Sequence, residues 1–185
     1  PPIRGTPPVY ADSTVFLGQV QGLGWLLDVA PHPDFARNGW IYLHHTDRCT
    51  DCNALSRKSK RPVSMNRLIR GRIRDGAWVD QEILWQADPE TYTDTSDLTA
   101  GGRIAFDGRG HVFFSVGMKA PLEFLGIQDL SLPYGKIHRL HDDGRVPADN
   151  PFVKTPGALP SIWTYGHRSP QGLEWNTRTR EAWST

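Results

Sequence analysis

Residues 102–117 read GRIAFDGRGHVFFSVG, and this stretch decides the fold class. Two runs rich in β-branched and aromatic residues, RIAF and HVFFSV, flank the turn residues Asp107-Gly108 and Arg109-Gly110. Apolar runs of this length on either side of a glycine-rich turn predict two antiparallel strands. Helix signals are scarce along the chain, because apolar residues seldom recur at spacings of three and four. The stretch therefore predicts a β-hairpin in an all-β protein.

The same pattern occurs on both sides of this hairpin. Upstream, LLDVAPH (26–32) and WIYLHHT (40–46) flank a segment rich in Pro, Asp, Asn and Gly. Downstream, LEW (173–175) and EAWS (181–184) flank a turn over residues 176–180. Both arrangements predict antiparallel hairpins.

Between the hairpins lie two further strand candidates, NRLIRGRIR (66–74) and GKIHRLHDDG (135–144). Successive copies of the pattern start roughly 70 to 80 residues apart, which is long for a propeller blade unless loops are inserted at one face. Repeated antiparallel sheets predict a β-propeller. The chain has material for two to three four-stranded blades, fewer than the four that a closed propeller needs. We expect a partial propeller over residues 18–185, preceded by an extended N-terminal segment over residues 1–17.

Long loops between the blades are expected to build the functional face, because loops carried by a rigid scaffold commonly bear function. The candidates are rich in polar residues, Gly or Pro. They span residues 47–65, 86–102, 117–135 and 145–161.

Composition narrows the class of partner. The chain has 185 residues, 38% of them hydrophobic, with 21 Lys+Arg against 20 Asp+Glu. Near-balanced charge argues against a nucleic-acid or acidic-membrane partner, and we interpret the basic run over residues 57–61 as a solvated loop tip. No apolar run has the length of a membrane span. Because the chain opens at PPIRGTPP without a leader pattern, we expect a processed or truncated N-terminus.

Cys49 and Cys52 have the C-x-x-C spacing of a redox pair or half of a zinc site. Three interpretations stay open: a short-loop disulfide, which we prefer, free thiols, or a metal site completed by His44 and His45. The disulfide would indicate an oxidising compartment.

The segment YGHRSPQGLEW (165–175) places Arg168 and Gln171 in a loop before the third hairpin. A guanidinium offers a planar fork of donors, and an amide offers both a donor and an acceptor. Together they would suit an anionic ligand rich in carbonyl groups. Alternatively, both side chains satisfy only backbone carbonyls of the loop.

Four segments in order carry a resemblance to a known family: 22–43, 101–117, 128–152 and 162–175. They resemble the glucose/sorbosone dehydrogenase family, the soluble aldose sugar dehydrogenases that depend on pyrroloquinoline quinone (PQQ). The resemblance implies a six-bladed β-propeller that binds PQQ and calcium in a shallow funnel. It also implies oxidation of a sugar at its anomeric carbon to a lactone, an external electron acceptor, and a periplasmic or secreted location. This chain would cover roughly the second blade into the fourth, ending before the family's segment that supplies carbonyl oxygens to the calcium.

The resemblance assigns the 165–175 loop to cofactor binding. In family members the loop reads G-x-R-N-P-Q-G, and its Arg, Asn and Gln contact the quinone. Arg168 and Gln171 match this pattern, and Ser169 replaces the Asn. These three residues are the predicted cofactor-binding set.

Three family positions depart from the pattern. The family's general base is a His four residues before the Arg of the inner strand, and that position is Thr99. Its orienting acid corresponds to Met118, and a further cofactor-contacting Gln corresponds to Leu23. A threonine hydroxyl is too weakly basic to take the sugar's proton, so no catalytic residue of the family is retained here.

Other polar residues offer weaker candidates. Asp94 and Asp97 lie near Thr99 and would be substitute bases if they are not simply solvent-facing loop residues. Three further histidines are expected at the surface or in blade packing: His111, His138 and His141. An acidic tract would either bind structural calcium or form turns through Asp142, Asp143, Asp149 and Asn150.

Two functions therefore remain. One is a PQQ-dependent sugar dehydrogenase with lost or altered catalysis, acting on a sugar with an external electron acceptor. The other is a non-catalytic propeller that binds a protein partner. For the second, aromatic surface would come from Trp25, Trp40, Trp78 and Trp85, unless these side chains pack between blades.

Overall fold

The computed structural model describes residues 2–10, 14–16, 19–119 and 124–185. The strands within these ranges are β1 (Thr14–Phe16), β2 (Gln19–Gln21), β3 (Leu26–Pro31), β4 (Ile41–Cys49), β5 (Val63–Arg74), β6 (Ala77–Gln86), β7 (Gly101–Phe106), β8 (His111–Val116), β9 (Lys136–His141), β10 (Ile162–Tyr165), β11 (Leu173–Asn176) and β12 (Glu181–Ser184). The helical segments there are α1 (Phe35–Asn38), α2 (Ala54–Ser59) and the 3-10 turns Pro89–Thr91, Asp97–Thr99 and Phe124–Ile127. None of the helices in the described ranges is long and apolar enough to span a membrane.

Two four-stranded antiparallel sheets form the body of the chain. Blade A has the order β3-β4-β5-β6, and blade B has the order β7-β8-β9-β10. Strands β11 and β12 pair as the start of a third sheet, blade C, and β1 pairs with β2. All three predicted hairpins are therefore confirmed, and the all-β class with four-stranded antiparallel sheets agrees with the prediction.

The outermost strands, β6 and β10, were not predicted as separate strands. In β6 the pairing with β5 shifts register at two places, so the polar residues at its centre do not follow a simple alternation. Strand β10 is only four residues long and pairs with β9 through another register shift. Irregular or short edge strands give little periodic signal.

The core lies between the blades because blade B is buried on both faces. Along β8, Val112, Phe114 and Val116 pack against side chains of blade A. Phe113, which points the opposite way, packs with Leu173 of blade C. This two-sided burial explains why β8 reads as a continuous apolar run.

The turn between β7 and β8 requires its two glycines. Gly108 and Gly110 have φ angles of +70° and +86°. This left-handed region is costly for residues that carry a Cβ atom. The predicted turn is confirmed for this physical reason.

Antiparallel pairing sorts the loops onto two edges of the blades. We call one the site edge, which contains residues 22–25, 50–62, 87–100, 117–119, 124–135 and 166–172. The opposite one is the far edge, which contains residues 32–40, 75–76, 107–110, 142–161 and 177–180.

One predicted functional loop lies at the far edge and not at the site edge. Residues 145–161 were expected to share a face with the other three long loops, but they follow the end of β9 at the far edge. The backbone N–H of Asp142 donates to the Gly110 carbonyl oxygen at 2.9 Å, which places this connection beside the β7–β8 turn. The prediction was wrong because β9 ends at the far edge, and the short β10 that returns the chain to the site edge was not predicted.

The N-terminal residues contact blade A. Arg4 forms an isolated parallel bridge with Ala77, and the Tyr10 backbone N–H donates to the Gly24 carbonyl oxygen at 3.1 Å. The predicted boundary between the N-terminal segment and the propeller falls at residues 17 and 18, which lie outside the described residues.

Candidate functional site

Backbone contacts at the site edge bring three separate segments together. The Met118 N–H donates to the Arg168 carbonyl oxygen at 2.8 Å, and the Thr99 hydroxyl donates to the Met118 carbonyl oxygen. The Gly117 N–H donates to the Ala100 carbonyl oxygen at 2.8 Å. The structure therefore places three of the residues singled out from the sequence, Thr99, Met118 and Arg168, next to one another.

Close approach of two backbones explains a glycine here. A Cβ atom added to Gly117 would lie 1.8 Å from the Thr99 carbonyl oxygen, well inside any allowed contact. Only glycine lets the end of β8 touch the turn that carries Thr99. This contact holds Thr99 close to Met118, the two positions at which the resemblance predicted a base and an orienting acid.

A concavity of about 740 Å³ opens at this place and is wide open to solvent. It lies where the 3-10 turn before β7, the loop after β10 and the end of β12 meet. The lining residues are Leu98, Thr99, His167, Arg168, Ser169, Pro170, Gln171, Ser184 and Thr185.

Gln171 is held by the loop around it. Its Nε2 donates to the Leu98 carbonyl oxygen at 3.2 Å and to the Ser169 hydroxyl at 2.9 Å. The backbone carbonyl oxygen of Gln171 accepts a hydrogen bond from Arg103 Nε at 2.9 Å. The alternative interpretation, in which this side chain satisfies a backbone carbonyl of a loop, is therefore partly correct for Gln171.

Arg168 differs from Gln171. Its side chain is exposed, and within the described ranges its guanidinium has neither a hydrogen-bond acceptor nor an ion-pair partner. The residue is anchored through its backbone by Met118, while five N–H donors face the concavity side of the loop unengaged. This is the arrangement expected of a group that meets an anionic ligand.

His167 also lines the concavity and was not singled out from the sequence. Its Nε2 lies 2.6 Å from the Thr164 hydroxyl. Burial and, secondarily, the Lys136 ammonium lower the pKa of this imidazole. The ring is therefore neutral at pH 7, and it packs against the wall of the site rather than adding charge.

Directly below the concavity lies a buried ion pair between Asp97 and Lys119. The side chains of both residues are 0% exposed. Lys119 Nζ contacts Asp97 Oδ1 and also donates to the Ser64 hydroxyl at 2.6 Å. Both interpretations of Asp97, as substitute base and as solvent-facing loop residue, are thus wrong.

Four more donors converge on the Asp97 carboxylate. The Ser64 hydroxyl donates to Oδ1 at 2.8 Å, and the Thr46 hydroxyl donates to Oδ2 at 2.5 Å. The backbone N–H groups of Gly24 and Trp25 reach Oδ2 at 2.6 and 3.4 Å. A carboxylate with this many donors is held in place and has no lone pair directed at a substrate.

Burial lowers the pKa of the Lys119 ammonium, and the attraction of Asp97 opposes that change. Removing one member of such a pair leaves an uncompensated charge in the interior, which costs roughly 3–5 kcal/mol. No sequence signal indicated this pair, because lysines are mostly exposed and the partners are 22 residues apart.

Leu23 stands at the third altered position. It is half-buried in the segment before β3, beside Gly24, whose N–H reaches Asp97. The segment thus joins the same cluster of loops, but it presents an apolar side chain where the family has an amide.

The three candidate histidines lie away from the concavity, as expected. His111 Nδ1 contacts Asp107 Oδ2 at 2.7 Å at the far edge, and its ring stacks on His141. His138 is fully buried and stacks on Phe114 in the core. Burial lowers the pKa of His138 to about 3.

Residues of the acidic tract act as turn and pairing residues at the far edge. Asp142 Oδ2 lies 3.1 Å from His32 Nε2, and Asp143 pairs with Arg145 at 2.7 Å. Asn150 accepts from Arg139 Nε at 2.8 Å, and Asp149 pairs with the same guanidinium. In the part of the chain that the structure describes, no three His, Cys, Asp or Glu side chains are grouped as metal ligands would be. The turn interpretation is the one the structure supports.

The cysteine pair forms a disulfide between Cys49 and Cys52. His44 and His45 are successive residues of β4, so their side chains point to opposite faces of blade A. His44 packs on Phe114 in the core, and His45 lines a separate apolar cleft on the outer face. The preferred disulfide is confirmed, and the zinc and free-thiol interpretations are excluded.

Three of the four candidate surface tryptophans pack within the blades. Trp85 contacts Phe114 and His138, and Trp78 is buried. Trp40 lies under the guanidinium groups of Arg70 and Arg72. Trp25 is half-buried at the site edge. Trp40, Trp78 and Trp85 therefore do not form the aromatic surface that would favour a protein-binding module.

The basic run takes the form predicted for a solvated tip. Residues 54–59 form the short helix α2, and most side chains of the 57–61 run are exposed. Asn53 caps this helix, and its Nδ2 donates to the carbonyl oxygens of Pro89 and Tyr92 at 2.9 Å each.

Comparison with known proteins gives a consistent answer over the whole chain. The family model described as Glucose / Sorbosone dehydrogenase matches residues 1–185. The aldose sugar dehydrogenase YliI of Escherichia coli (strain K12) is 33% identical over 184 residues, which are 98% of this chain and 43% of that protein. Quinoprotein glucose dehydrogenase B of Acinetobacter calcoaceticus is 25% identical over 202 residues, covering 92% of this chain and 38% of that protein.

Solved structures of aldose sugar dehydrogenases also superpose on this chain. The soluble aldose sugar dehydrogenase of Escherichia coli in its apo form superposes with a TM-score of 0.79 at 31% identity, over 100% of this chain and 47% of that one. The PQQ-bound aldose sugar dehydrogenase of Streptomyces coelicolor superposes with a TM-score of 0.62 at 24% identity, over 89% and 42%, and supports the fold alone. The β-propeller class is thereby confirmed, and the chain spans less than half the length of these relatives.

Proposed function

Because the chain belongs to the glucose/sorbosone dehydrogenase family, we propose that it is part of a PQQ-dependent dehydrogenase that oxidises an aldose at its anomeric carbon to a lactone. The observation that carries the proposal is the unengaged Arg168 guanidinium beside Ser169 and Gln171 in an open concavity. The sugar substrate and the quinone cofactor are proposed from the names of two relatives, an aldose sugar dehydrogenase and a quinoprotein glucose dehydrogenase.

The residues present fit the cofactor. PQQ carries three carboxylates and an ortho-quinone, and it supplies the acceptor for the hydride that leaves the sugar. Arg168 would hold a carboxylate or quinone oxygen through its planar fork of donors. Ser169 and Gln171 would add one hydroxyl and one amide, and the contacts of Gln171 with Leu98 and Ser169 orient that amide in advance.

Proton transfer is the part of the reaction that this chain does not support at the family position. Thr99 donates its hydroxyl proton to the Met118 carbonyl oxygen, and a hydroxyl is a poor base near neutral pH. Asp97 is occupied by five donors beneath the site. We therefore propose that the dehydrogenase activity is lost or altered through residue 99, while the binding of the cofactor is kept.

The proposal also includes calcium, an external electron acceptor and a periplasmic or secreted location. The described ranges hold no group of three His, Cys, Asp or Glu side chains, so we propose that calcium binds through carbonyl oxygens, as the family resemblance implies. The Cys49–Cys52 disulfide supports an oxidising compartment.

The test is calorimetric titration of PQQ, with calcium present, into the intact protein and into Arg168→Met. We expect binding by the unaltered protein and roughly 10- to 100-fold weaker binding by the variant, because a charge-assisted fork is lost. Arg109→Met, which removes an exposed arginine of the far-edge turn, is the matched control and should bind as the unaltered protein does. Absence of PQQ binding by the unaltered protein would reject the proposed function.

A second variant addresses the base. Thr99→His is expected to raise dye-coupled sugar oxidation by roughly 100-fold, the usual contribution of a positioned general base. Thr99→Val, which offers no base, serves as its control and should show no gain. Equal rates in Thr99→His and the unaltered protein would show that another group already takes the proton.

A further inference from the structure

The loops that form the concavity are not joined by a continuous sheet at the site edge, and a buried side-chain pair lies where they meet. We propose that Asp97 and Lys119 are positioning residues for the ligand site: their ion pair fixes the two backbone groups on which Arg168 and Gln171 are docked. This inference rests on the proposed function, since it concerns the same site. It assigns a role to two residues at positions other than those of the family's base and acid.

The pair ties four parts of the chain to one point. Asp97 receives hydrogen bonds from β4 through Thr46, from β5 through Ser64, and from the segment before β3 through the N–H of Gly24. Lys119 joins the segment after β8 to the same carboxylate. Since both side chains are fully buried, neither can exchange its partner for water without opening the site edge.

One arm of the pair leads to Arg168. Lys119 directly follows Met118, whose N–H donates to the Arg168 carbonyl oxygen at 2.8 Å and whose own carbonyl accepts from the Thr99 hydroxyl. This is the backbone hydrogen bond that anchors Arg168, while its guanidinium is unengaged. A displacement of residues 118–119 would therefore move the guanidinium relative to the rest of the concavity.

The other arm leads to Gln171. Asp97 directly precedes Leu98, and the Leu98 carbonyl oxygen accepts from Gln171 Nε2 at 3.2 Å. Asp97 also begins the 3-10 turn that contains Thr99, and its carbonyl oxygen accepts from the Ala100 N–H at 2.9 Å. The carboxylate thus sets the position of the turn from which the Gln171 amide is oriented.

A pair at the far edge provides a matched comparison. The Arg139 side chain is nearly buried and contacts Asp149 and Asn150, but none of these residues lines the concavity. Arg139→Met removes a buried cation from β9 of blade B, just as Lys119→Met removes one from the segment after β8. It leaves the segments that hold Arg168 and Gln171 unchanged. A purely structural role for Lys119 would make the two variants behave alike.

The experiment compares four forms of the intact protein: unaltered, Lys119→Met, Lys119→Met/Asp97→Asn, and Arg139→Met. PQQ affinity is measured by calorimetry with calcium, and the unfolding midpoint is measured on the same samples. We expect both Lys119 variants to bind PQQ at least 10-fold more weakly. Arg139→Met should bind with unchanged affinity although its midpoint falls. The double variant carries the test if Lys119→Met is unfolded, because it leaves neither charge unpaired.

Hydrogen exchange of the Met118 amide gives a readout that does not depend on PQQ. Its protection should fall at least 10-fold in the Lys119 variants and stay unchanged in Arg139→Met. If the unaltered protein binds no PQQ, the proposed function fails, and this exchange result alone decides the positioning role. Folded Lys119 variants with unaltered affinity and Met118 protection would overturn the inference. An equal loss of affinity in Arg139→Met would overturn it as well.

Discussion

A polar cluster at the far edge, around Asp142 and Asn150, and the Arg168 loop at the site edge use their side chains differently. At the far edge the Asp142 carbonyl oxygen accepts from the Tyr42 hydroxyl at 2.5 Å and from Arg70 Nη1 at 2.9 Å, and its carboxylate meets His32. Asn150 uses both ends of its amide on Arg139 and Pro160. At the site edge Arg168 leaves its whole guanidinium without a partner in the described ranges.

The two clusters differ in how many of their polar groups find partners within the chain. Buried polar groups that find all their partners within the chain stabilise a fold and leave nothing for a ligand. The Arg168 guanidinium makes no such contact within the described ranges, so it is available to the ligand that we propose. The acidic tract and the Arg168 loop look equally polar in the sequence, yet only the second has donors to offer.

The largest effect that we expect is a loss of stability at acidic pH, caused by histidines buried in the core that both edges share. Burial lowers the pKa of His44 and of His138 to about 3, from an ordinary value of 6.5. Because the unfolded chain binds these protons and the folded chain does not, their contribution to stability is fully present above pH 6.5. It is lost progressively as the pH falls from 6.5 towards 3. At pH 5 we expect a loss of roughly 2 kcal/mol per histidine in the free energy of unfolding.

Urea unfolding at pH 7 and pH 5 measures this loss. His138→Gln should remove its own share of roughly 2 kcal/mol from the loss at pH 5. The remaining acid sensitivity comes from His44 and from His45 and His167, whose pKa values burial also lowers. An unchanged pH dependence in that variant would show that other groups cause the acid sensitivity. Hydrogen exchange should show both edges losing protection together, since the two rings lie in the shared core.

The next effect concerns the far edge alone. Asn150→Ala removes the acceptor of Arg139 Nε and the donor to the carbonyl oxygens of Arg139 and Pro160, so we expect a loss of about 2–3 kcal/mol in the free energy of unfolding. PQQ affinity should not change. Ser169→Ala at the site edge is the contrasting variant, with a loss below about 0.5 kcal/mol. Equal losses from the two variants would contradict the distinction between the edges.

The smallest effect concerns the Cys49–Cys52 disulfide. Its loop is short, so the chain-entropy account gives it only about 1–2 kcal/mol of stability. Cys49→Ser/Cys52→Ser should lower the free energy of unfolding, measured by urea titration, by that amount. The unaltered protein treated with a reductant should match the variant. A loss as large as that of Asn150→Ala would mean that the disulfide also supports the contacts of Asn53 with Pro89 and Tyr92.

Much of the blade architecture follows from local pattern. The β7–β8 hairpin was predicted because its turn glycines and apolar runs act over a few residues, and the structure has it at Gly101–Phe106 and His111–Val116. The edge of the 145–161 loop was missed because the short β10, which returns the chain from the far edge to the site edge, was not predicted. A single uncounted strand reverses the edge at which a loop lies.

The candidate site divides in the same way. Arg168, Ser169 and Gln171 were found because family resemblance acts on contiguous residues, and the structure places all three at the concavity. Lys119 and its partner were missed because nothing local distinguishes a buried lysine from an exposed one.

The sequence by itself determined the hairpins, the propeller class and the loop that offers a guanidinium and an amide. These depend on residues close together in the chain, where turn chemistry and strand alternation act directly. The tertiary structure alone decided which loops share an edge, that Asp97 is a buried partner of Lys119, and that Arg168 has no partner among the described residues. Those properties depend on packing between blades, since the burial of a charge is set by side chains that are distant in sequence.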